Sequence, residues 1–220
     1  MALLDLLLPR RCAGCGDLGS ELCEGCRGAL PRLPPPFCER CGAPTAWPIR
    51  RCGECAGRRL AFATARAAVI YDERVRALVA DWKERGHRRL ALRAAELVAE
   101  CVRRPDVAAL AYVPGDLDRA LRRGHHPAER LARALGARWE LPVLNVLARE
   151  EGRQRQRGLR LAERRRNLRG AFRATRGVPG RVSLVDDVYT TGATAAEAAS
   201  ALRKAGARRV EVVTFARAVR

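Results

Sequence analysis

The chain has 220 residues, enough for one medium domain plus a small module. Its 48% apolar content supplies a core, and with only 5% aromatic residues that core must be built from Leu, Val and Ala. The net charge of +19, from 43 basic and 24 acidic residues, suits a polyanionic partner, either nucleic acid or a phosphate-rich substrate. Only Lys83 and Lys204 among the basic residues are lysines, so part of this charge reflects a general arginine bias. No apolar run reaches membrane-spanning length. The apolar stretch 1–8 is too short for a signal peptide, and its charges follow rather than precede it. A cytoplasmic protein with reduced thiols is therefore expected.

In residues 1–60, eight of the nine cysteines form four C-x-x-C pairs: Cys12/Cys15, Cys23/Cys26, Cys38/Cys41 and Cys52/Cys55. A C-x-x-C turn presents two thiolates to one metal, and two such turns complete a tetrahedral site. Eight ligands imply two Zn²⁺. Sequential pairing leaves seven residues between Cys15 and Cys23 and ten between Cys41 and Cys52, giving two ribbons in tandem; an interleaved, cross-braced pairing is the alternative. Full sulfur ligation leaves no open position, so these zincs are expected to be structural, each supplying roughly 10–16 kcal/mol to a segment poor in large apolar side chains. Residues 31–36 (PRLPPP) read as a stiff spacer between the ribbons.

Residues 61–220 read as a larger domain in which strands alternate with helices. The short apolar run 65–71 predicts a first strand. Residues 72–83 predict a helix, with Val75, Leu78, Val79 and Trp82 at helical spacing and Lys83 at its end. A second amphipathic helix is expected over 90–103, with Cys101 on its apolar side as a core filler. A strand at 110–113 ends at Pro114. A helix follows at 127–135, with Pro127 at a favourable first position. Residues 143–147 predict another strand. Residues 149–176 then hold eleven Arg against three Glu, a balance of +8, and read as a mobile electropositive loop that closes over an anion or follows a nucleic-acid backbone. A strand at 182–185, a helix from Thr194 to Ala205 stopped by Gly206, and a last strand at 210–216 complete the pattern. Such alternation predicts a parallel α/β sheet.

The densest chemistry lies between the last two strands. An apolar run is followed by Asp186-Asp187, two further residues, Thr190-Thr191-Gly192, Ala193 and Thr194. A strand, a polar turn and a helix N-terminus make an anion cradle of backbone N–H groups and hydroxyls, where Gly192 permits close approach. A phosphate alone does not call for adjacent carboxylates. A sugar with vicinal hydroxyls beside that phosphate does, and such carboxylates also hold Mg²⁺ through its waters. No GxxxxGK[ST] loop is present, which argues against a P-loop NTPase.

This stretch resembles the motif by which type I phosphoribosyltransferases bind 5-phosphoribosyl-1-pyrophosphate (PRPP). The resemblance implies that Asp186 and Asp187, as the catalytic acids, lie against the ribose hydroxyls, while Val188, Tyr189, Thr190, Thr191, Gly192, Ala193 and Thr194 hold the 5-phosphate. The chain as a whole is similar to the ComF competence proteins, which join zinc ribbons to a phosphoribosyltransferase-like domain. The residues carrying this likeness run from Leu6-Leu7-Leu8-Pro9-Arg10-Arg11-Cys12 through Tyr71, Trp82-Lys83, Val113-Pro114 and Arg119…Arg123-Gly124 to Gln156…Arg164-Arg165-Arg166-Asn167…Gly170-Ala171-Phe172. The family likeness implies a Rossmann-like, type I phosphoribosyltransferase-like parallel sheet over 61–220 with a double zinc ribbon over 1–60. It further implies a pyrophosphate loop over 114–119, PRPP contacts from Pro114, Lys83, Arg119 and Arg123, and a flexible hood over 156–172 carrying Gln156, Arg164, Arg165 and Asn167. One departure stands out. Where the family usually has Gly-Phe-Asn-Gln, this chain has Gly124-His125-His126-Pro127. The His pair either replaces one of the lost amides or forms a cap or solvated turn.

Two functions remain open on these grounds. One is phosphoribosyl transfer from Mg²⁺-bound PRPP to an acceptor that the sequence does not name. The other is non-catalytic binding of single-stranded DNA beside a DNA-uptake helicase, with the PRPP pocket residual or regulatory. Aromatics for base stacking are few. Trp47 in the second ribbon is the best stacking candidate, with a core role as the alternative.

Overall fold

The computed structural model describes residues 10–84, 87–115, 125–150 and 170–219. Its strands are β1 (Thr64–Ile70), β2 (Ala109–Tyr112), β3 (Val143–Leu144), β4 (Leu147–Arg149), β5 (Phe172–Ala174), β6 (Arg181–Tyr189) and β7 (Arg209–Arg217). Its helices are α1 (Glu24–Gly28), α2 (Glu73–Glu84), α3 (Leu90–Cys101), α4 (Pro127–Trp139) and α5 (Ala193–Lys204). The main sheet has five parallel strands in the order β1-β7-β6-β2-β3, as the alternating pattern predicts.

The sheet is covered on both faces, which is why its central strands read as near-continuous apolar runs. On one face, α2, α3 and α4 pack against Val185, Val213 and Phe215. On the other, α5 packs with Val182, Leu184, Val210 and Val212. Helix α2 buries the four residues expected of it, Val75, Leu78, Val79 and Trp82. It starts where the Asp72 carboxylate accepts the Val75 N–H at 2.8 Å.

Two predicted elements differ. The run 143–147 is two strands: Val143–Leu144 closes the main sheet, and Leu147–Arg149 pairs antiparallel with Phe172–Ala174 in a separate hairpin. The chain turns away because Val146, Leu147 and Phe172 bury themselves in the α5-side core, where a straight strand could not take them. Cys101 is exposed and is no core filler. Helix α3 ends there, and Val102 turns to an extended conformation and takes the buried place one residue later.

Residues 10–60 share these cores. Cys12, Leu22 and Leu30 sit in the cluster under α2 and α3, and all four cysteines of the second ribbon sit in the α5-side cluster. The proline-rich spacer also covers a sheet edge. Ile70 N–H donates to Pro31 at 2.8 Å and Leu33 N–H to Ala68 at 3.2 Å, so β1 does not end the sheet as an open edge. Farther along β1, Ala65 N–H donates to Arg40 at 3.0 Å. Gly42 lies so close there that a Cβ would stand 2.3 Å from the Ala65 carbonyl oxygen.

Candidate functional site

The carboxyl ends of parallel strands form the crevice in which open α/β sheets place ligands. Strand β6 is central in this sheet and longer than its apolar run, continuing through both aspartates to Tyr189. Ladder pairing with β7 holds Asp186 opposite Thr214. On the other side, Val113 N–H donates to the Val185 carbonyl at 3.0 Å, which sets Pro114 beside the acidic pair. Arg119, Arg123, Gln156, Arg164, Arg165 and Asn167 lie outside the described residues.

Each aspartate accepts a bond from the next backbone amide, Asp186 from Asp187 N–H and Asp187 from Val188 N–H, both at 2.9 Å. The other Asp187 oxygen forms an ion pair with Lys83, delivered by the last turn of α2. Burial pushes Asp186 well above the ordinary carboxylate range; Asp187 adds repulsion and Lys83 pulls the other way. Burial alone would lower Lys83, but the facing Asp187 outweighs it and the amine is raised. One ammonium thus pairs with Asp187 and offsets only part of the repulsion between two crowded acids. The sequence likeness brought Lys83 to the same site, and the ion pair is its physical reason.

Beyond β6 the chain makes a three-residue turn, Thr190 to Gly192, and enters α5. Gly192 is the N-cap at φ +71°, without a capping side chain, and the first turn of the helix carries no acidic residue. Thr191 Oγ1 accepts the Ala193 N–H at 3.3 Å. The positive end of the helix dipole and its first-turn amides thus point at the aspartate end of the strand. A crevice there is lined by Asp186, Val188, Thr190, Gly192 and Thr194. Tyr189 lines it as well. Its side chain is buried beneath Gly192, edge-on to Phe62 and under the Arg217 guanidinium, whose Cζ lies 4.6 Å from the ring centre.

His125 is no solvated turn. It is buried, with Nε2 2.9 Å from the Trp82 carbonyl oxygen at the end of α2, one residue before Lys83. His126 takes the N-cap position of α4 without a side-chain cap bond.

The eight paired cysteines form two clusters in the sequential arrangement, Cys12/Cys15/Cys23/Cys26 and Cys38/Cys41/Cys52/Cys55, with all ligand atoms of each within 4.8 Å of one another. Tetrahedral Zn–S bonds of about 2.3 Å require sulfurs roughly 3.8 Å apart. The separations are 3.8 Å for Cys15–Cys23, 3.6 Å for Cys38–Cys55, 3.4 Å for Cys41–Cys52 and 3.9 Å for Cys52–Cys55, so the donor set fits structural zinc. Burial raises the Cys12 thiol, but N–H donors from Cys23, Cys15 and Gly14 outweigh it and bring the pKa to about 6. The backbone therefore favours thiolate at this position. Trp47, on the second ribbon, is 67% exposed, which removes the core reading for it.

Residues 3–56 match the family model of the double zinc ribbon domain. Competence protein F of Haemophilus influenzae is 32% identical over 227 residues, covering 94% of this chain and 97% of that protein. The chain belongs to the ComF family. Another relative of this ComF chain, the DNA utilization protein YhgH of Salmonella typhimurium, is 31% identical over 205 residues, 87% of this chain and 88% of that protein. Among solved structures, the glutamine PRPP amidotransferase of B. subtilis aligns at a TM-score of 0.42 and 21% identity, over 58% of this chain and 26% of that one. Orotate phosphoribosyltransferase from Aeropyrum pernix aligns at 0.32 and 22%, over 67% of each. The ComF chain therefore joins a parallel α/β sheet to a double zinc ribbon with two Cys₄ clusters suited to structural zinc. None of the described helices is long and apolar enough to cross a membrane.

Proposed function

We propose that this ComF protein binds PRPP with Mg²⁺ at the carboxyl end of β6 and transfers its phosphoribosyl group to an acceptor. The observation that carries this reading is the Asp186-Asp187 pair, with Lys83 on Asp187, directly before a helix N-terminus whose N-cap is a glycine. The α5 amides with Thr190, Thr191 and Thr194 take the 5-phosphate. Asp186 and Asp187 accept from the ribose 2- and 3-hydroxyls and supply the oxygen donors that Mg²⁺ takes through its waters. Lys83 keeps the two acids compatible until the sugar and its cation arrive. In the transfer, the C1–O bond to pyrophosphate breaks with its electron pair leaving on pyrophosphate, and the acceptor's lone pair forms the new bond at C1. Pro114, Arg119 and Arg123 are assigned to the departing pyrophosphate, and Gln156, Arg164, Arg165 and Asn167 to closure over it.

Incubation with PRPP, Mg²⁺ and a panel of bases and amines, scored for pyrophosphate release, tests transfer. PRPP plus Mg²⁺ is expected to raise the melting temperature of the wild type and not of an Asp186→Asn/Asp187→Asn variant. Identical behaviour of the two would overturn the pocket.

A second reading, binding of single-stranded DNA, is favoured by exposed Trp47 close in sequence to exposed Arg50 and Arg51 on a chain of charge +19. A stacking side chain flanked by cations suits a strand without sequence preference. This binding should weaken steeply with salt; affinity insensitive to salt would refute it. The uptake machinery, with its helicase, is the setting this reading implies, in the cytoplasm.

A further inference from the structure

The last strand ends in a side chain that neither the metal centres nor the PRPP pocket accounts for. Arg217 is only 1% exposed, whereas most of the described arginines are exposed. A guanidinium loses its hydration on such burial and persists only where its partners replace water. Its partners come from two places far apart in sequence. One nitrogen donates to the Cys41 carbonyl at 2.7 Å. The other donates to Glu54 Oε2 at 2.6 Å and approaches the Cys41 sulfur at 3.6 Å. Both acceptors belong to the second ribbon, Cys41 being one of its ligands and Glu54 lying inside the Cys52/Cys55 turn. On its other side, the guanidinium covers the Tyr189 ring.

Two consequences follow from chemistry alone. Four thiolates around one Zn²⁺ leave a net charge of −2 in a buried place, and a guanidinium on a ligand sulfur offsets part of it. Tyr189, in turn, is the floor of the Thr190–Gly192 turn: a Cβ on Gly192 would stand 2.1 Å from the Tyr189 oxygen. The ring packs against both Arg217 and Phe62, and strand pairing holds Arg217 opposite Tyr189. The second metal centre, Arg217, Tyr189 and the turn therefore form one line of direct contact.

We propose that Arg217 is a positioning residue for the ribose-phosphate turn, and that it ties the geometry of the turn to the integrity of the Cys38/Cys41/Cys52/Cys55 centre. The identity of the ligand rests on the PRPP reading above; the mechanical tie does not. With the centre intact, Cys41 and Glu54 fix the guanidinium, the guanidinium fixes the ring, and the ring fixes the backbone that meets phosphate. Loss of the metal from that centre loosens the turn before any general unfolding, which makes the ribbon a gate on the pocket. The first centre has no such line: among the described residues its cysteines pack with the α2 and α3 side of the core.

The zinc-loaded full chain tests this with Arg217→Met, Arg217→Lys and Glu54→Gln. Amide hydrogen exchange, well below the melting temperature, is followed in peptides covering 188–195 and, as internal control, 90–101. Arg217→Met is expected to speed exchange in 188–195 about tenfold or more, leaving 90–101 unchanged. Arg217→Lys should restore part of the protection. Glu54→Gln, which touches nothing in the turn, should still speed exchange there severalfold. PRPP affinity in Mg²⁺ should fall in the same order. Wild-type exchange at 188–195 in both Arg217→Met and Glu54→Gln overturns the tie. If the wild type shows no PRPP affinity, the proposed function fails, while the exchange rates still decide the coupling.

Discussion

Gly192→Ala puts the construction of the phosphate turn to a quantitative test. Alanine at this place must adopt φ +71°, a left-handed conformation costing about 1–2 kcal/mol. Its Cβ would also lie 2.1 Å from Tyr189 Oη and 2.4 Å from Cζ. Tyr189 is buried and already packs against Arg217 and Phe62, so overpacking adds about 1–3 kcal/mol. The expected loss is about 2–5 kcal/mol. For a chain of this size that is roughly 4–20 °C of melting temperature. Gly16 supplies the control, because its φ is +83° and a Cβ there would meet nothing within 4 Å, so Gly16→Ala should lose only the backbone share of about 1–2 kcal/mol. Urea unfolding of the zinc-loaded chain measures both. A double-mutant cycle with Tyr189→Ala should show a coupling of about 1 kcal/mol or more, since the smaller side chain makes room. Equal losses for the two glycines, or additivity in the cycle, would refute the claim that the ring supports the turn.

Three further outcomes are expected. Asp186→Asn should stabilise the ligand-free protein at neutral pH by a few °C while abolishing the PRPP-dependent shift. The folded pKa of Asp186 is raised by burial and by Asp187, so its favourable share is present at acid pH and lost as pH rises through that raised value, and only the wild type should show this decline in a pH series of melting temperatures. A chelator should release zinc in two phases of one equivalent each, because the second cluster is wholly buried whereas Cys15 is exposed and Cys23 and Cys26 half-buried; a single phase would contradict this asymmetry. Trp47→Ala should weaken single-stranded DNA binding by about 1–3 kcal/mol, roughly 5- to 150-fold, with a little-changed salt slope, in a filter-binding or anisotropy titration.

Much of the fold was legible because its signals are local. Helical spacing in α2, the apolar runs of β6 and β7, the Gly206 stop and the C-x-x-C turns each depend on residues within a few positions of one another. Sequential zinc pairing was favoured by spacing and is the arrangement observed. What was missed depends on distant partners. Arg217 meets Cys41 across 176 positions, and in a chain rich in arginine nothing marks it as buried. His125 meets the Trp82 carbonyl across 43 positions, so a His pair before Pro127 looks like a turn. The 143–147 run misleads because a continuous apolar stretch carries no sign of where it changes sheets. Cys101 misleads because a helical pattern does not announce its own last residue. The one clue within reach was compositional: an aromatic, Tyr189, stands directly before a run of small and polar residues, which marks it as the end of a buried strand rather than part of an open loop.

The contacts also decide how nucleic-acid binding can be mapped. Cutting the chain into 1–60 and 61–220 is the obvious experiment, but the 61–220 piece would lose more than a ribbon. Strand β1 would lose the bonds joining it to Pro31, Leu33 and Arg40, leaving an open edge prone to pairing with other chains. Arg217 would lose Cys41 and Glu54 together with the ribbon atoms that lie against it. Both losses fall on a typical total stability of only about 5–15 kcal/mol. The isolated piece is therefore expected to aggregate or to lose near-UV ellipticity at temperatures where the zinc-loaded full chain stays folded. A soluble 61–220 piece melting within a few degrees of the full chain would show that the shared cores contribute little. Otherwise, loss of DNA binding on truncation reports unfolding, and the interface must be located by single substitutions at Trp47, Arg50 and Arg51 in the intact protein.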